Sequence, residues 1–346
     1  MIDFEFIFRL LVFPGFTFIL FLTLFVDWVE RKLEARIQNR VGPMVAGPAG
    51  ILQPLADLIK LLTKEDIEPR DTKKLVFRYT PLVAFAIMIF AMCFLPISGA
   101  SVLSTGSSLL GSGFNGDLII ILAFATIANF LMFLAGWASS NPYGTIGSAR
   151  VLTQFLGYDI PLFLLALAPA FIAGTLQISV IAGSQPFPWI FALLVPFAFV
   201  LFIITMQAEL EKDPFDVPHS ESEVVGGLET EYTGAKLAFL HLTRDVQVVF
   251  GAALVVELFL GGPNGPVFFG LDWLFYTLWF VLKLLVVVVI SEYITTVVAR
   301  LRIDQVLSGN WKILLPAALI SLAATILLVT YVYHPFGIGV LTGVLP

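Results

Sequence analysis

Six ionisable residues lie where an otherwise apolar chain has least room for them. Asp27, Asp159, Asp245, Glu257, Lys283 and Glu292 all fall at or within long hydrophobic runs. A charge at the centre of a membrane helix costs about 2.5–3.5 kcal/mol on insertion scales, so such residues usually mark ion or proton pathways. Lys283, mid-run with no end nearby, is the strongest case, and an acidic partner on another helix is expected for it. Asp27 and Glu292 lie near the ends of their runs and Glu257 near the opposite end, where reaching the headgroups is the ordinary explanation. A second concentration of chemistry is the acidic stretch Glu209, Glu211, Asp213, Asp216, Glu221, Glu223, Glu229 and Glu231, with only Lys212 and Lys236 among the acids. Pro214, Phe215, Val217, Val224, Val225, Gly226 and Gly227 interleave with it, which favours a folded segment over a solvated acidic loop. Carboxylates gathered in a partly buried place raise one another's pKa and can exchange protons.

Placing these residues requires a membrane. The chain of 346 residues is 58% hydrophobic and 13% charged, against about 25% charged in a soluble domain, which leaves too few charges to cover a water-facing surface. The expected fold is all-α, a single membrane domain over residues 1–346 with about eight transmembrane helices, near 8–29, 78–98, 118–138, 159–182, 188–208, 237–260, 268–291 and 312–333. Turn-forming Pro and Gly stand between them, as at Gly42-Pro43, Pro186 to Pro188 and Gly261-Gly262-Pro263. No signal-peptide cleavage pattern follows the first run. The loops 30–77, 139–158, 209–236 and 292–311 share one side with 17 of the 19 Lys and Arg residues, span ends included. The positive-inside rule puts those loops in the cytoplasm and both termini outside the cell membrane. Within the first loop, GILQPLADLIKLLT at 50–63 reads as an amphipathic interfacial helix. Ile51, Leu52, Leu55, Leu58, Ile59 and Leu62 form its apolar face, and Gln53, Asp57, Lys60 and Lys64 its polar stripe. That stripe faces either solvent or an enclosed polar cavity.

Several function classes drop out. Cys93 is alone in an apolar run, so the chain cannot hold an iron–sulfur cluster or an internal disulfide. His219, His241 and His334 lie in different segments without metal-ligand spacing, so no metal or haem site is expected. Redox chemistry must then belong to a partner's cofactor, and no nucleic-acid partner is expected.

The stretches ERKLEARIQNRVGP (30–43), QPLADLIKLL (53–62), ARVLTQFLGYD (149–159), AELEKDPFDVP (208–218), ESEVVGGLETEY (221–232) and RLRIDQ (300–305) stand in an order that carries a family likeness. The chain resembles the proximal membrane (heel) subunit of respiratory complex I, the NADH-quinone oxidoreductase, and its relatives among the archaeal membrane-bound hydrogenases and sulfur reductases. The likeness covers nearly the whole chain, and six motifs in order are highly specific.

The resemblance implies a subunit that docks a peripheral redox arm onto antiporter-like membrane subunits, without a catalytic centre of its own. Its partners would be peripheral iron–sulfur and hydrogenase-like large subunits together with the lipid bilayer. The iron–sulfur clusters, and in hydrogenase-type relatives nickel–iron, would sit in those partners. Carried over by motif, Arg36, Arg40, Gln53, Asp57 and Lys60 would line or support a cavity that holds quinone in the quinone-reducing members. Arg150, Asp159, Glu209, Glu221, Glu223 and Glu231 would form an acidic path, with Asp213 and Asp216 at its entrance. Arg300, Arg302 and Asp304 would brace the docking face. The chain departs from the quinone enzymes at His219, at Glu211-Lys212 before the Pro-Phe-Asp motif, at Arg244-Asp245, and at Asp159 where a Glu is usual. We assign Lys212 to the cavity and Asp245 and Lys283 to the ion path. These departures favour a hydrogenase- or sulfur-reductase-type complex coupling electron transfer to proton or sodium translocation, with a quinone-site subunit as the alternative. A passive anchor and a stand-alone secondary transporter are the other readings, and no convincing internal repeat supports the last.

Overall fold

The computed structural model describes residues 4–98, 116–185, 190–218, 220–267 and 270–333, and His219 and His334 lie outside them. Among the described residues every regular element is a helix. Seven helical segments are long and apolar enough to span a bilayer, and Pro196–Glu209 is an eighth, shorter apolar helix. This agrees with the all-α polytopic fold expected from hydropathy.

The chain opens with α1 (Phe4–Leu11) and α2 (Phe16–Ile37), which continue as one span across a break at Phe13 to Gly15. The interfacial helix α3 (Gln53–Thr63) follows, with Pro54 in its first turn, where a missing N–H costs nothing. Then come α4 (Lys74–Met92), α5 (Asp117–Ala138) and α6 (Pro142–Ala173). The 32-residue α6 departs from expectation, since residue order predicts a loop over most of 139–158. Asn141 caps the helix by accepting from the Tyr143 N–H at 2.9 Å, Pro142 occupies its first turn, and Gly174 ends it at φ +69°. The charged motif at 149–159 therefore stands on a rigid helix that runs on into the membrane. In the same way α2 extends to Ile37, so Glu30 and Arg31 are helical rather than on a loop.

The expected span 188–208 is broken. A short α8 (Phe191–Leu194) follows α7 (Ile178–Gly183), and α9 (Pro196–Glu209) starts afresh. Pro196 supplies no N–H to a preceding turn and pushes Val195 out of helical geometry, to φ −129°. After the one-turn α10 (Glu221–Val224) come α11 (Gly234–Phe259), α12 (Asp272–Val297), α13 (Ile303–Gly309) and α14 (Leu315–Leu328). A π-helical stretch, Asn310–Leu314, joins the last two. A Cβ on Gly157 of α6 would lie 2.9 Å from Asn310 Nδ2, so the glycine is what lets the two segments close up there.

At the centre stands α11, with every residue from Val246 to Phe259 buried. It packs against α2, α3, α4, α7 and α12. By contrast α12 keeps Leu274, Leu278, Leu282, Val286, Val289 and Tyr293 exposed along one face, an apolar stripe suited to lipid or to a neighbouring membrane protein.

Candidate functional site

The site begins at the charged end of α2. The Arg31 guanidinium spans Asp27, one turn earlier, at 2.8 Å and Asp57 of α3 at 2.6 Å. Gln53 donates to Asp57 at 3.0 Å, and Lys60 lies 3.8 Å from it. Burial pushes the Asp57 carboxyl up, but the Arg31 hydrogen bond and charge outweigh it and hold the group below the usual carboxylate range. Asp57 of the polar stripe, with Gln53 bonded to it, thus meets α2 through Arg31, whereas Lys60 and Lys64 stay exposed, as do the apolar Ile51, Leu52, Ile59 and Leu62.

Next to this network the loop after α9 folds inward. Lys212 reaches Glu30 of α2 at 2.5 Å and Glu292 of α12 at 3.2 Å, and all three side chains are at least four-fifths buried. Burial alone pushes the Lys212 ammonium down, yet the two carboxylates outweigh it and hold its pKa above that of free lysine. Lys212 and Glu30 form part of the wall of a cavity of about 970 Å³, together with Glu211, Asp216, Glu229, Arg244, Asp245 and Arg300. The remaining wall residues are Leu210, Val225, Gly226 and Val248, so ionisable groups hold eight of twelve positions. Val225 sits at φ +62°, a conformation that costs a β-branched residue about 1–3 kcal/mol.

Ion pairs frame the mouth. Arg300 bonds Asp213 at 3.4 Å and also pairs with Asp216. Arg150 bonds Glu223 at 2.5 Å and the Val217 carbonyl at 3.3 Å, tying α6 to the acidic segment. Arg244 lies 3.0 Å from Glu229, with His241 on the same carboxylate at 3.3 Å. Asn141 donates to Glu231, and the buried Tyr232 hydroxyl donates to the Ala135 carbonyl at 2.9 Å. Burial pushes that Tyr232 hydroxyl well above the ordinary phenol range. Behind it Lys236, buried, holds Glu68 at 2.6 Å and Asp66 at 3.1 Å.

Deeper in, Asp159 accepts from the Thr126 hydroxyl at 3.1 Å, and Glu209 is buried at the end of α9. A polar thread leads inward from Gln247 to Asn129 at 2.8 Å and on to the Tyr158 hydroxyl at 3.0 Å. Lys283 is held differently from expectation. Its ammonium donates to the carbonyls of Leu260, Gly262 and Asn264 at 2.7–2.9 Å, and Glu257 acts on it through charge rather than contact.

The structure thus draws Lys212, Asp216, Asp245 and Arg300 into one cavity wall, with Asp213 on its rim. Gln53, Asp57 and Lys60 stand apart in the α2–α3 network. Arg36 and Arg40 are exposed, Arg40 pairing with Glu34 at 2.8 Å. Arg302 and Asp304 are exposed at the start of α13, and Glu221 lies on α10 with its side chain outside the described ones. Sequence reasoning misses Glu30 and Glu292 as site residues. Lys212, one of only two cations among the acids, is the signal that carboxylates from elsewhere have to meet it. Among the described residues no group of His, Cys, Asp and Glu is arranged to hold a metal. What the arrangement can do is hold, bias and pass protons.

Residues 10–326 match the NADH dehydrogenase family. The chain belongs to that family. It is 36% identical over 310 residues to the H subunit of the NADH-quinone oxidoreductase of Dehalococcoides mccartyi, covering 90% of this chain and 83% of that protein. The corresponding H 1 subunit of Geobacter metallireducens is 36% identical over 312 residues, covering 90% and 92%, and the H subunit of Brevibacillus brevis is 36% identical over 306 residues, covering 88% of each. The motif-based likeness to the complex I heel subunit is thereby borne out. With seven helices among the described residues long and apolar enough to span a bilayer, and Pro196–Glu209 a shorter eighth, this family member is a multi-pass membrane subunit of a complex I-like oxidoreductase.

Proposed function

We propose that the chain is the coupling subunit of a multisubunit ion-translocating oxidoreductase, docking a peripheral redox arm on the cytoplasmic loops and linking its electron transfer to ion movement. The observation that supports this most is the charged cavity, which joins the loop acids to Asp245 on the central helix and to the buried Glu30–Lys212–Glu292 group. A change of charge in a docked partner would shift the balance among these acids. One elementary charge across 100 mV is worth about 2.3 kcal/mol, and each pKa unit about 1.4 kcal/mol, so shifts of a few units suffice. Protons or sodium ions would then move by way of Asp159, Glu209, Glu221, Glu223, Glu231, Asp245 and Lys283. The chain itself binds no cofactor in this reading, and iron–sulfur clusters belong to the peripheral partners. It lies in the cell membrane with both termini outside, against antiporter-like subunits, and residues 1–346 act as one membrane domain.

The wall chemistry favours a hydrogenase- or sulfur-reductase-type complex. Eight ionisable wall residues make a poor lining for a lipid-soluble quinone, and the departures Glu211, Lys212, Arg244 and Asp245 are all among them. The names of the bacterial relatives favour the second reading, a quinone-site subunit. Gentle detergent purification with mass spectrometry of the partners separates the two. A catalytic partner with four cysteines fit for nickel–iron, or a remnant of them, supports the first. An NADH-oxidising module beside a partner lacking those cysteines supports the second.

The coupling role is tested by Glu231→Gln. Glutamine keeps an acceptor for Asn141, so the complex assembles, while ion movement per electron falls. Unchanged coupling in that variant removes Glu231 from the path, and unchanged coupling in Asp245→Asn as well would leave only a passive anchor.

A further inference from the structure

The end of α11 farthest from the cavity carries a carboxylate with no assigned role. Glu257 is 0% exposed, and neither of its oxygens has a hydrogen-bond partner. It follows Asp245 by twelve residues on the same helix, a separation of about 18 Å at 1.5 Å per residue. The loop after α11 runs directly over it: Gly262 sits at φ +51°, and a Cβ there would collide with Glu257 Oε2. That same loop turns the carbonyls of Leu260, Gly262 and Asn264 onto the Lys283 ammonium at 2.8, 2.9 and 2.7 Å. A buried ionised group is costly unless paired. Here the carboxylate is unpaired and the nearby cation is satisfied by backbone oxygens instead. Lys283 is the charged group that acts on Glu257. Two helices that pack on α11, α7 (ISVIAG) and α8 (FALL), bring no ionisable side chain, and α12, which also packs on it, brings Lys283. Exposure rises outward from Glu257 through the half-buried Lys283 and Asn264 to the exposed Pro266.

We propose that Glu257 and Lys283 form a proton-exchange site at the external end of the chain, with the 260–264 loop as its switch; this rests on the coupling function above. In this proposal Glu257 holds a proton while Lys283 rests on the three carbonyls. When the Glu257 O–H bond breaks, its proton leaves to external water along the Lys283 side. The ammonium keeps its three protons and turns from the carbonyls to pair with the new carboxylate. Reprotonation of Glu257 sends it back. The two ends of α11 thereby hold exchangeable acids of separate kinds, Asp245 within a charged cavity and Glu257 against a single lysine.

The test uses the assembled complex in sodium-free proteoliposomes, with Glu257→Gln compared with wild type and with Glu231→Gln. Redox-difference infrared spectra should show a protonated-carboxyl band that Glu257→Gln abolishes and that follows external but not internal pH. Protons released per electron should fall in that variant, while uncoupled turnover is kept. Should Glu257→Gln disturb assembly, Glu257→Asp, which keeps the carboxyl but shortens its reach, must shift the band, and an unshifted band overturns the proposal. A fall in proton release with Glu231→Gln but none with Glu257→Gln overturns the external site and leaves the coupling role standing. No change in either variant overturns the external site and takes Glu231 off the path, and unchanged coupling in Asp245→Asn as well overturns the coupling reading itself. A band that follows internal pH, or coupling that requires sodium, also overturns the assignment.

Discussion

The two ends of the central helix solve the problem of buried charge in opposite ways. At the cavity end six acids are given cations: Lys212 stands between Glu30 and Glu292, Arg31 between Asp27 and Asp57, Arg244 beside Glu229 and Arg150 beside Glu223. The pairs Lys212–Glu30, Lys212–Glu292 and Arg31–Asp57 join segments distant in sequence, so they hold loop and interfacial segments to the membrane helices as well as balancing charge. At the far end Lys283 is satisfied by backbone carbonyls, and Glu257 is left without a donor. Breaking a buried pair by removing one partner costs more than the pair contributes, because an uncompensated charge remains. An acid that already lacks a donor has little of this kind to lose. The ion pairs of the cavity end therefore hold their charges in place, while the far end, in the proposal above, lets a single acid change its protonation.

The largest effect that sharpens this contrast is expected from Lys212→Met. It leaves two buried carboxylates facing each other, and should lower stability by about 3–5 kcal/mol, read as a drop in thermal unfolding temperature of the purified complex. Glu257→Gln should change that temperature far less. Equal losses in the two variants would break the comparison.

A smaller effect follows from pH, and its sign differs between two groups at the cavity end. Lys212 has a raised pKa, so the stability it contributes is fully present below the pKa of a free lysine and is lost as pH rises through the raised value. Asp57 has a lowered pKa, so its contribution is present above the pKa of a free aspartate and disappears as pH falls through the depressed value. A pH–stability profile should accordingly lose an alkaline step in Lys212→Met and weaken its acid-side step in Asp57→Asn. An alkaline step that survives Lys212→Met removes the triad from the account.

Relieving the strained cavity wall comes next. Val225→Gly should raise stability by about 1 kcal/mol, since glycine enters the left-handed region without a Cβ penalty. A loss of stability would show that Val225 packing outweighs its backbone strain. The smallest effect belongs to the exposed rim. Glu34→Ala breaks the solvent-facing pair with Arg40 and should change stability by no more than about 0.2–1 kcal/mol, less at high salt.

Much of this was legible from residue order. Hydropathy located the membrane helices because each must bury about 20 apolar residues by itself, a demand that needs no partner. The family was legible because the motifs from 30–43 to 300–305 are local strings. Polar stripes with helical spacing likewise exposed α3 before any contact was known. Helix ends were less legible. The charged stretch 149–158 is polar enough to pass for a loop, yet Asn141 and the α9 contacts of Gln154 keep it helical.

Pairings were decided by the fold alone. Glu30 and Glu292 lie 182 and 80 residues from Lys212, and no local pattern says which carboxylates meet that ammonium. The fate of Lys283 was equally hidden, because its expected acidic partner lost out to three backbone carbonyls, groups that every residue carries and no sequence pattern marks. Sequence determines which residues must leave water and which are costly to bury. Only the packing of α2, α11, α12 and the 210–217 loop decides how each buried charge is compensated, since compensation depends on distances of a few ångströms between segments far apart in the chain.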